Sequence, residues 1–234
     1  MRLAIIETGA PPEALLKTHG DYPAMFERLF APFAPRLSFF TMKADDLPPF
    51  AAFDGLLITG SSAGVYEGHD WIAPLEEFLR RSAIAKKRQV GICFGHQLMA
   101  QAFGGRVEKS AKGWGVGVQD YEVTRRAASM TPAPGRFSCA TSHQDQVVAK
   151  PPGAETLATS EFCEFAALEY AQGPAISFQM HPEFEHDCAA DLLRLRSERI
   201  SAALSATTLD SLKRGSVRTL IARWIANFYI GDRR

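Results

Sequence analysis

Cys93 sits in the string VGICFGHQLMAQAFGG, Val90 to Gly105, with one glycine two residues before it and another two residues after. The residues ahead of it, Gln89-Val90-Gly91-Ile92, read as a short buried strand. Those behind it, His96 to Phe103, repeat with helical spacing and stop at Gly104-Gly105. The thiol therefore falls on a strand-to-helix turn, where a side chain projects from the sheet edge and flanking glycines permit tight packing and unusual backbone angles. The first turn of a helix is also where the peptide dipoles favour negative charge, the form in which sulfur attacks carbon. A small buried thiol without chemistry is the plainer reading of any single cysteine.

A nucleophilic thiol needs a base within hydrogen-bond reach and a third group that holds the base in one orientation. Six histidines are available, His19, His69, His96, His143, His181 and His186. His181 follows the apolar run AISFQM and opens the string His181-Pro182-Glu183. Residues two apart in an extended segment project to the same side, so Glu183 can meet the imidazole directly. His96 lies inside the helix after the turn, and His19, His69 and His186 fall near loops or helix starts, where packing or solvent is the ordinary role. His181, Glu183, His186 and Asp187 are all metal-ligand types, but a proline-stiffened strand end running into a helix start would scatter them, so neither a metal nor a cofactor is expected. Acyl transfer also needs N–H donors for an oxyanion. The turn offers the backbone of Phe94, and the small-residue loop Thr59 to Gly64 offers a second donor at Gly60. That loop lacks the lysine and the spacing of a phosphate-binding P-loop.

The elements that must carry these groups alternate in type. Leu3 to Ile6, Leu37 to Phe40, Gly55 to Thr59 and Gln89 to Ile92 read as strands; Tyr22 to Phe30 and about Ile72 to Lys86 read as helices. This order predicts an α/β fold, a mostly parallel central sheet with helices on both faces, in which sites form at the carboxyl ends of strands. From Arg106 onward the pattern loosens into β-like pieces, 115–118, 121–123, 145–148, 165–170 and 175–179. Two closing helices are expected, about Asp187 to Leu204 and Leu209 to Phe228, the second striped with Leu220, Ile221, Trp224, Ile225 and Phe228. A chain of 234 residues suits a single domain, 1–234, with a C-terminal helical extension over about 187–234.

Charge adds an exclusion: 26 Lys and Arg balance 26 Asp and Glu, so nothing recruits nucleic acid or an anionic membrane. Cys93, Cys139, Cys163 and Cys188 lack CxxC spacing, which fits a reducing, cytoplasmic setting better than a disulfide scaffold. The opening MRLAIIETGA is expected to be a first strand, and no stretch is long enough for a membrane helix.

Taken as a set, GICFGHQ at Gly91 to Gln97, HPE at His181 to Glu183, and Gly60 followed by Val65-Tyr66 resemble class I glutamine amidotransferases. The resemblance implies their flavodoxin-like fold and a Cys-His-Glu triad that hydrolyses the γ-amide of glutamine through a γ-glutamyl thioester. On that footing Cys93 is the nucleophile, His181 the general base and then acid, and Glu183 the group orienting His181. Gly60 and Phe94 supply the oxyanion N–H groups, Gln97 helps hold glutamine, and Ser142, His143 and Asp145 belong to a loop that contacts the substrate's α-amino and α-carboxylate ends. The chain departs from many members after Gly60, reading Ser61-Ser62-Ala63-Gly64 in place of a Gly-Gly-Pro or Gly-Ser-Pro turn, which weakens the case for the second oxyanion donor. About fifty residues of helical sequence follow Glu183, so any acceptor of ammonia is expected on a separate synthetase subunit. SHQDQV at Ser142 to Val147 is also similar to γ-glutamyl peptidases, which makes a stand-alone hydrolase of γ-glutamyl compounds the alternative to a glutaminase. A non-catalytic binding protein on the same scaffold is the third reading, and the intact Cys, His and Glu argue against it.

Overall fold

Strands that are covered on both faces read as unbroken apolar runs, and the first strand shows why. In the computed structural model, which describes residues 1–34 and 36–231, β1 (Arg2–Glu7) turns Leu3 and Ile5 to one side and Ala4 and Ile6 to the other, all fully buried. The chain continues through α1 (Glu13–His19), α2 (Tyr22–Phe30), β2 (Ser38–Lys43), β3 (Gly55–Ile58), α3 (Ile72–Ile84), β4 (Arg88–Ile92) and α4 (Phe94–Ala102). Asp21 caps α2 by accepting from the Ala24 N–H at 2.8 Å, and Met25, Phe26, Leu29 and Phe30 form its buried face. Lys86, with φ of 56°, ends the helical run that the sequence extends to that residue.

Next come β5 (Arg106–Lys109), β6 (Gly115–Val123), β7 (Arg136–His143), β8 (Asp145–Ala149), β9 (Glu155–Thr159), β10 (Ala167–Glu169) and β11 (Ala175–Phe178), then α5 (His186–Leu195), α6 (Ala202–Ser211) and α7 (Arg218–Ile230). One sheet takes the order β2-β1-β3-β4-β11-β10-β9-β6-β7, and β5 pairs separately with β8. Pairing is parallel from β2 to β11 and antiparallel from β11 to β7. The fold is thus α/β with helices on both faces, and its sheet is mixed. α2 and α7 cover the face carrying Leu3, Ile5, Leu57 and Val90, while α3 and α4 cover the face carrying Ala4, Ile6, Leu56 and Ile58.

Several elements differ from the sequence reading. α1, β5, β7 and β9 have no counterpart in it; α1 buries only Leu15, and β7 reads RFSCATSH, too polar to alternate cleanly. The two pieces expected at 115–118 and 121–123 are one strand, β6. Ser142 to Asp145 is no simple loop, because Ser142 and His143 end β7 while Asp145 opens β8 in the other sheet. The expected helix over 187–204 breaks after Leu195, where Leu193 and Ile200 fold together onto Val116 and Ser201 caps a new helix by accepting from the Leu204 N–H. The expected helix over 209–228 also divides, since the Val217 N–H bonds the Ser138 carbonyl at 2.9 Å and draws the chain onto the sheet before α7 starts.

α7 docks on its own core. Ile221, Trp224, Ile225 and Tyr229 are fully buried, the Trp224 indole N–H donates to the Pro132 carbonyl at 2.7 Å, and the Tyr229 hydroxyl donates to the Leu56 carbonyl. Among the described residues no helix is long and apolar enough to cross a membrane, and no group of three or more His, Cys, Asp or Glu is placed to hold a metal ion.

Candidate active site

Three neighbouring parallel strands bring distant residues together. β3, β4 and β11 lie side by side with Ile58 opposite Gly91 and Ile92 opposite Phe178, so the segments leaving them at Thr59-Gly60, Cys93 and Gln179 to His181 emerge at one edge. The Cys93 N–H still bonds the Phe178 carbonyl at 2.9 Å, and then the backbone reverses with φ 54° and ψ −102° at Cys93 as α4 starts at the next residue. A non-glycine residue in such a conformation is held there by its surroundings. The glycines on either side make the hold possible. A Cβ on Gly95 would stand 2.5 Å from the Ile58 carbonyl oxygen, and one on Gly91 would press into the Gly95 carbonyl. The turn can therefore sit against β3 only with glycine at both positions. The helix consequently begins at Phe94, two residues earlier than its apolar repeat suggests.

Packing fixes the imidazole of His181 on several sides. Its Nδ1 lies 2.7 Å from Glu183 Oε1, its face stacks on Phe184 with centroids 4.1 Å apart and planes 3° apart, and its ring lies close enough to the Cys93 sulfur to interact with it electrostatically. A Cβ on Gly60 would come within 3.2 Å of His181 Cε1 and 3.8 Å of Cys93 Cβ, so the bare backbone of Gly60 closes a further side. His181 and Glu183 are 3% and 1% exposed. Burial on its own would push the imidazole pKa down; the Cys93 sulfur and the Glu183 carboxylate outweigh it and push it up. A proton held on this ring is stabilised by both partners, an arrangement suited to moving a proton between sulfur and a departing nitrogen.

The Thr59–Gly60 peptide is pinned from behind. The Thr59 carbonyl accepts from the Gly95 N–H and the Thr8 hydroxyl, each at 3.1 Å. The N–H groups of Gly60 and Phe94 have no acceptor among the described residues.

Cys93 opens onto a cleft of about 540 Å³. Gln97, Ser142, His143 and Asp145 line it with Cys93, whereas His181 and Glu183 are buried outside its lining. Gln97 donates to the Asp145 carbonyl at 2.8 Å and to Gln179 Oε1 at 3.1 Å, which aims its side chain. His143 Nδ1–H donates to the Asp145 carbonyl at 2.9 Å, leaving Nε2 as a lone pair without a donor among the described residues. Burial lowers the His143 pKa to about 4, so this ring is neutral. Burial raises the Asp145 pKa, against the hydrogen bond it receives from the Tyr66 hydroxyl.

The remaining histidines are used elsewhere. His96 Nδ1 meets the Ser177 hydroxyl at 2.7 Å inside the core, His19 pairs with Asp191, His69 with Glu67, and His186 with Ser216. Lys109, Trp114, Arg196 and Arg199 also line the cleft. No local motif announces them, because β5, the entry to β6 and the break after α5 bring them there only through the tertiary fold.

The family model "Glutamine amidotransferase class-I" matches residues 37–195. Gamma-glutamyl peptidase 3 of Arabidopsis thaliana is 27% identical over 201 residues, covering 82% of this chain and 80% of that protein. One chain of the glutamine-hydrolyzing GMP synthase of Methanothrix thermoacetophila is 34% identical over 133 residues, covering 57% of this chain and 68% of that one. A glutamine amidotransferase structure from Thermotoga maritima superposes with a TM-score of 0.76 at 19% identity over 98% of both chains, a likeness of fold. A family match over most of the sequence, with the same architecture in solved relatives, places this chain in the class I glutamine amidotransferase family.

Proposed function

We propose that the chain hydrolyses the γ-amide bond of γ-glutamyl compounds larger than glutamine. Cys93 gives its thiol proton to His181 as its sulfur adds to the γ-carbonyl carbon, and the N–H groups of Gly60 and Phe94 receive the charge that develops on the carbonyl oxygen. His181 gives its proton to the departing nitrogen as the C–N bond breaks, leaving a γ-glutamyl thioester on Cys93. Water then adds to the thioester carbon while His181 takes its proton. The C–S bond breaks, glutamate leaves, and the thiol is restored. Glu183 keeps the imidazole aimed throughout.

The carrying observation is that the Cys93, His181 and Glu183 arrangement opens onto a cleft of about 540 Å³. That volume lies in the range of ~300–1,000 Å³ usual for pockets that bury drug-sized ligands. The likeness to γ-glutamyl peptidases over four-fifths of the chain supports the same reading. A second reading, a glutaminase that passes ammonia to a separate synthetase, is supported by the likeness to the GMP synthase chain.

Glutamate release by the purified chain, with L-glutamine and with γ-glutamylglycine, separates them, using Cys93→Ala as the blank. The expected result is faster cleavage of the dipeptide. Cleavage of glutamine and not of the dipeptide supports the second reading, and release from neither compound by the chain alone removes the first.

A further inference from the structure

The acids and the bases of the cleft are not in the same state. Glu67 Oε2 meets His69 Nε2 at 2.9 Å and Asp145 accepts from the Tyr66 hydroxyl, so both carboxylates already have partners in the chain. The cations do not. Among the described residues no carboxylate lies within ion-pair distance of Lys109, Arg196 or Arg199, all of which face the cleft with Cys93.

Arg196 is the most constrained of the three. It caps the C-terminus of α5 and is half-buried. Its guanidinium donates to the Ser142 hydroxyl at 2.7 Å and lies 5.2 Å from the centroid of the Trp114 ring. It lies close enough to Cys93 to interact with the sulfur electrostatically, and Arg199 sits near it. Withdrawing a guanidinium from water without an anion is unfavourable, and its planar fork matches a carboxylate. Every γ-glutamyl amide brings at least one.

Resting on the function proposed above, we infer that Arg196, held between Trp114 and Ser142 with Arg199 nearby, binds a carboxylate of the substrate and so fixes the γ-glutamyl compound over Cys93. Arg196 and Arg199 lie just past residue 195, where the family match stops, so this contact comes from the chain's own C-terminal segment. Two carboxylates could serve: the α-carboxylate of the glutamyl half, or that of a departing amino acid.

Kinetics on γ-glutamylglycine and γ-glutamylmethylamide test the inference with wild type, R196Q and R196K. Losing a charge-assisted hydrogen bond should raise KM for γ-glutamylglycine about ten- to a hundredfold, with kcat changed by less than about threefold. R196K, which keeps the charge and the aliphatic stem, should fall between. An equal KM rise on the methylamide identifies the α-carboxylate, and an unchanged KM identifies the carboxylate of the departing half; either supports the inference. Wild-type KM values in R196Q on both compounds overturn it. Calorimetric titration of γ-glutamylglycine into Cys93→Ala, with and without R196Q, reads binding where there is no turnover. A protein that cleaves neither compound yet binds the dipeptide less tightly with R196Q refutes the hydrolase and keeps the carboxylate site. Equal binding with and without R196Q overturns the site alone. Absence of both cleavage and binding overturns both.

Discussion

Acid should unfold this protein through two buried neutral histidines. Burial depresses the pKa of His96 to about 3, with a smaller downward push from His143, and that of His143 to about 4. In the unfolded chain both return to about 6.5. Below that value the unfolded state binds two protons that the folded state refuses, so this contribution to stability is present above about pH 6.5 and is lost as the pH falls. Integrated from pH 7 to pH 5, each histidine removes about 2 kcal/mol, and the pair about 4 kcal/mol. Urea unfolding at the two pH values, at fixed ionic strength, reads the loss. His96→Gln lowers stability at both values because it disturbs the bond to Ser177, but its loss between them should be about 2 kcal/mol smaller than that of wild type. His143→Gln should shrink the loss by a similar amount. A pH dependence identical in wild type and both variants refutes the neutral, buried state of these rings.

Other perturbations separate chemistry from folding. Cys93→Ala should release no glutamate from any γ-glutamyl compound while its circular dichroism and urea midpoint stay near wild type, since it removes only a sulfur. Glu183→Gln should lower kcat by about a hundredfold or more, and His181→Asn by at least as much; a Glu183→Gln enzyme with wild-type kcat reduces the triad to Cys93 and His181. Gly60→Ala puts a methyl 3.2 Å from His181 Cε1 and should lower kcat about ten- to a hundredfold, with stability changed by less than about 1 kcal/mol. Gly95→Ala forces a methyl to 2.5 Å from the Ile58 carbonyl and should instead cost about 3 kcal/mol in urea unfolding.

What was legible in the sequence follows from the range of the forces involved. β1, β3, β4 and α2 are doubly buried strands or a strongly sided helix, so their apolar periods are plain in the sequence. The strand-to-helix turn at Cys93 is local geometry and stands in the structure; His181 and Glu183 also meet, but across a turn in which the Phe184 N–H bonds the His181 carbonyl at 3.3 Å, and not in the extended run that their spacing suggests. The helix break near Arg196 was not legible, because helix formers continue across it, whereas the break near Val217 is marked locally by Gly215 after Lys213-Arg214, a stop signal that the apolar stripe of the last helix outweighed. Tertiary contacts hold both breaks: Ile200 packing with Leu193, and the Val217 N–H reaching Ser138. Ser142 and Asp145 share one short motif, yet they enter different sheets, a pairing that no local pattern encodes.

Those breaks bear on function. The groups that meet Cys93 come from the carboxyl ends of three adjacent parallel strands, where register fixes them and a single added methyl displaces them. Another part of the cleft's lining comes from β5, Trp114 just before β6, the β7–β8 junction and the turn after α5. Had α5 run on to Leu204, Arg196 and Arg199 would lie mid-helix, at positions set by the helix axis. Because it stops at Leu195, the turn delivers Arg196 to Ser142 and Trp114. Changes in this part of the lining should therefore alter KM and the choice of substrate at nearly constant kcat, whereas changes at Gly60, Glu183 or His181 should alter kcat on every substrate alike.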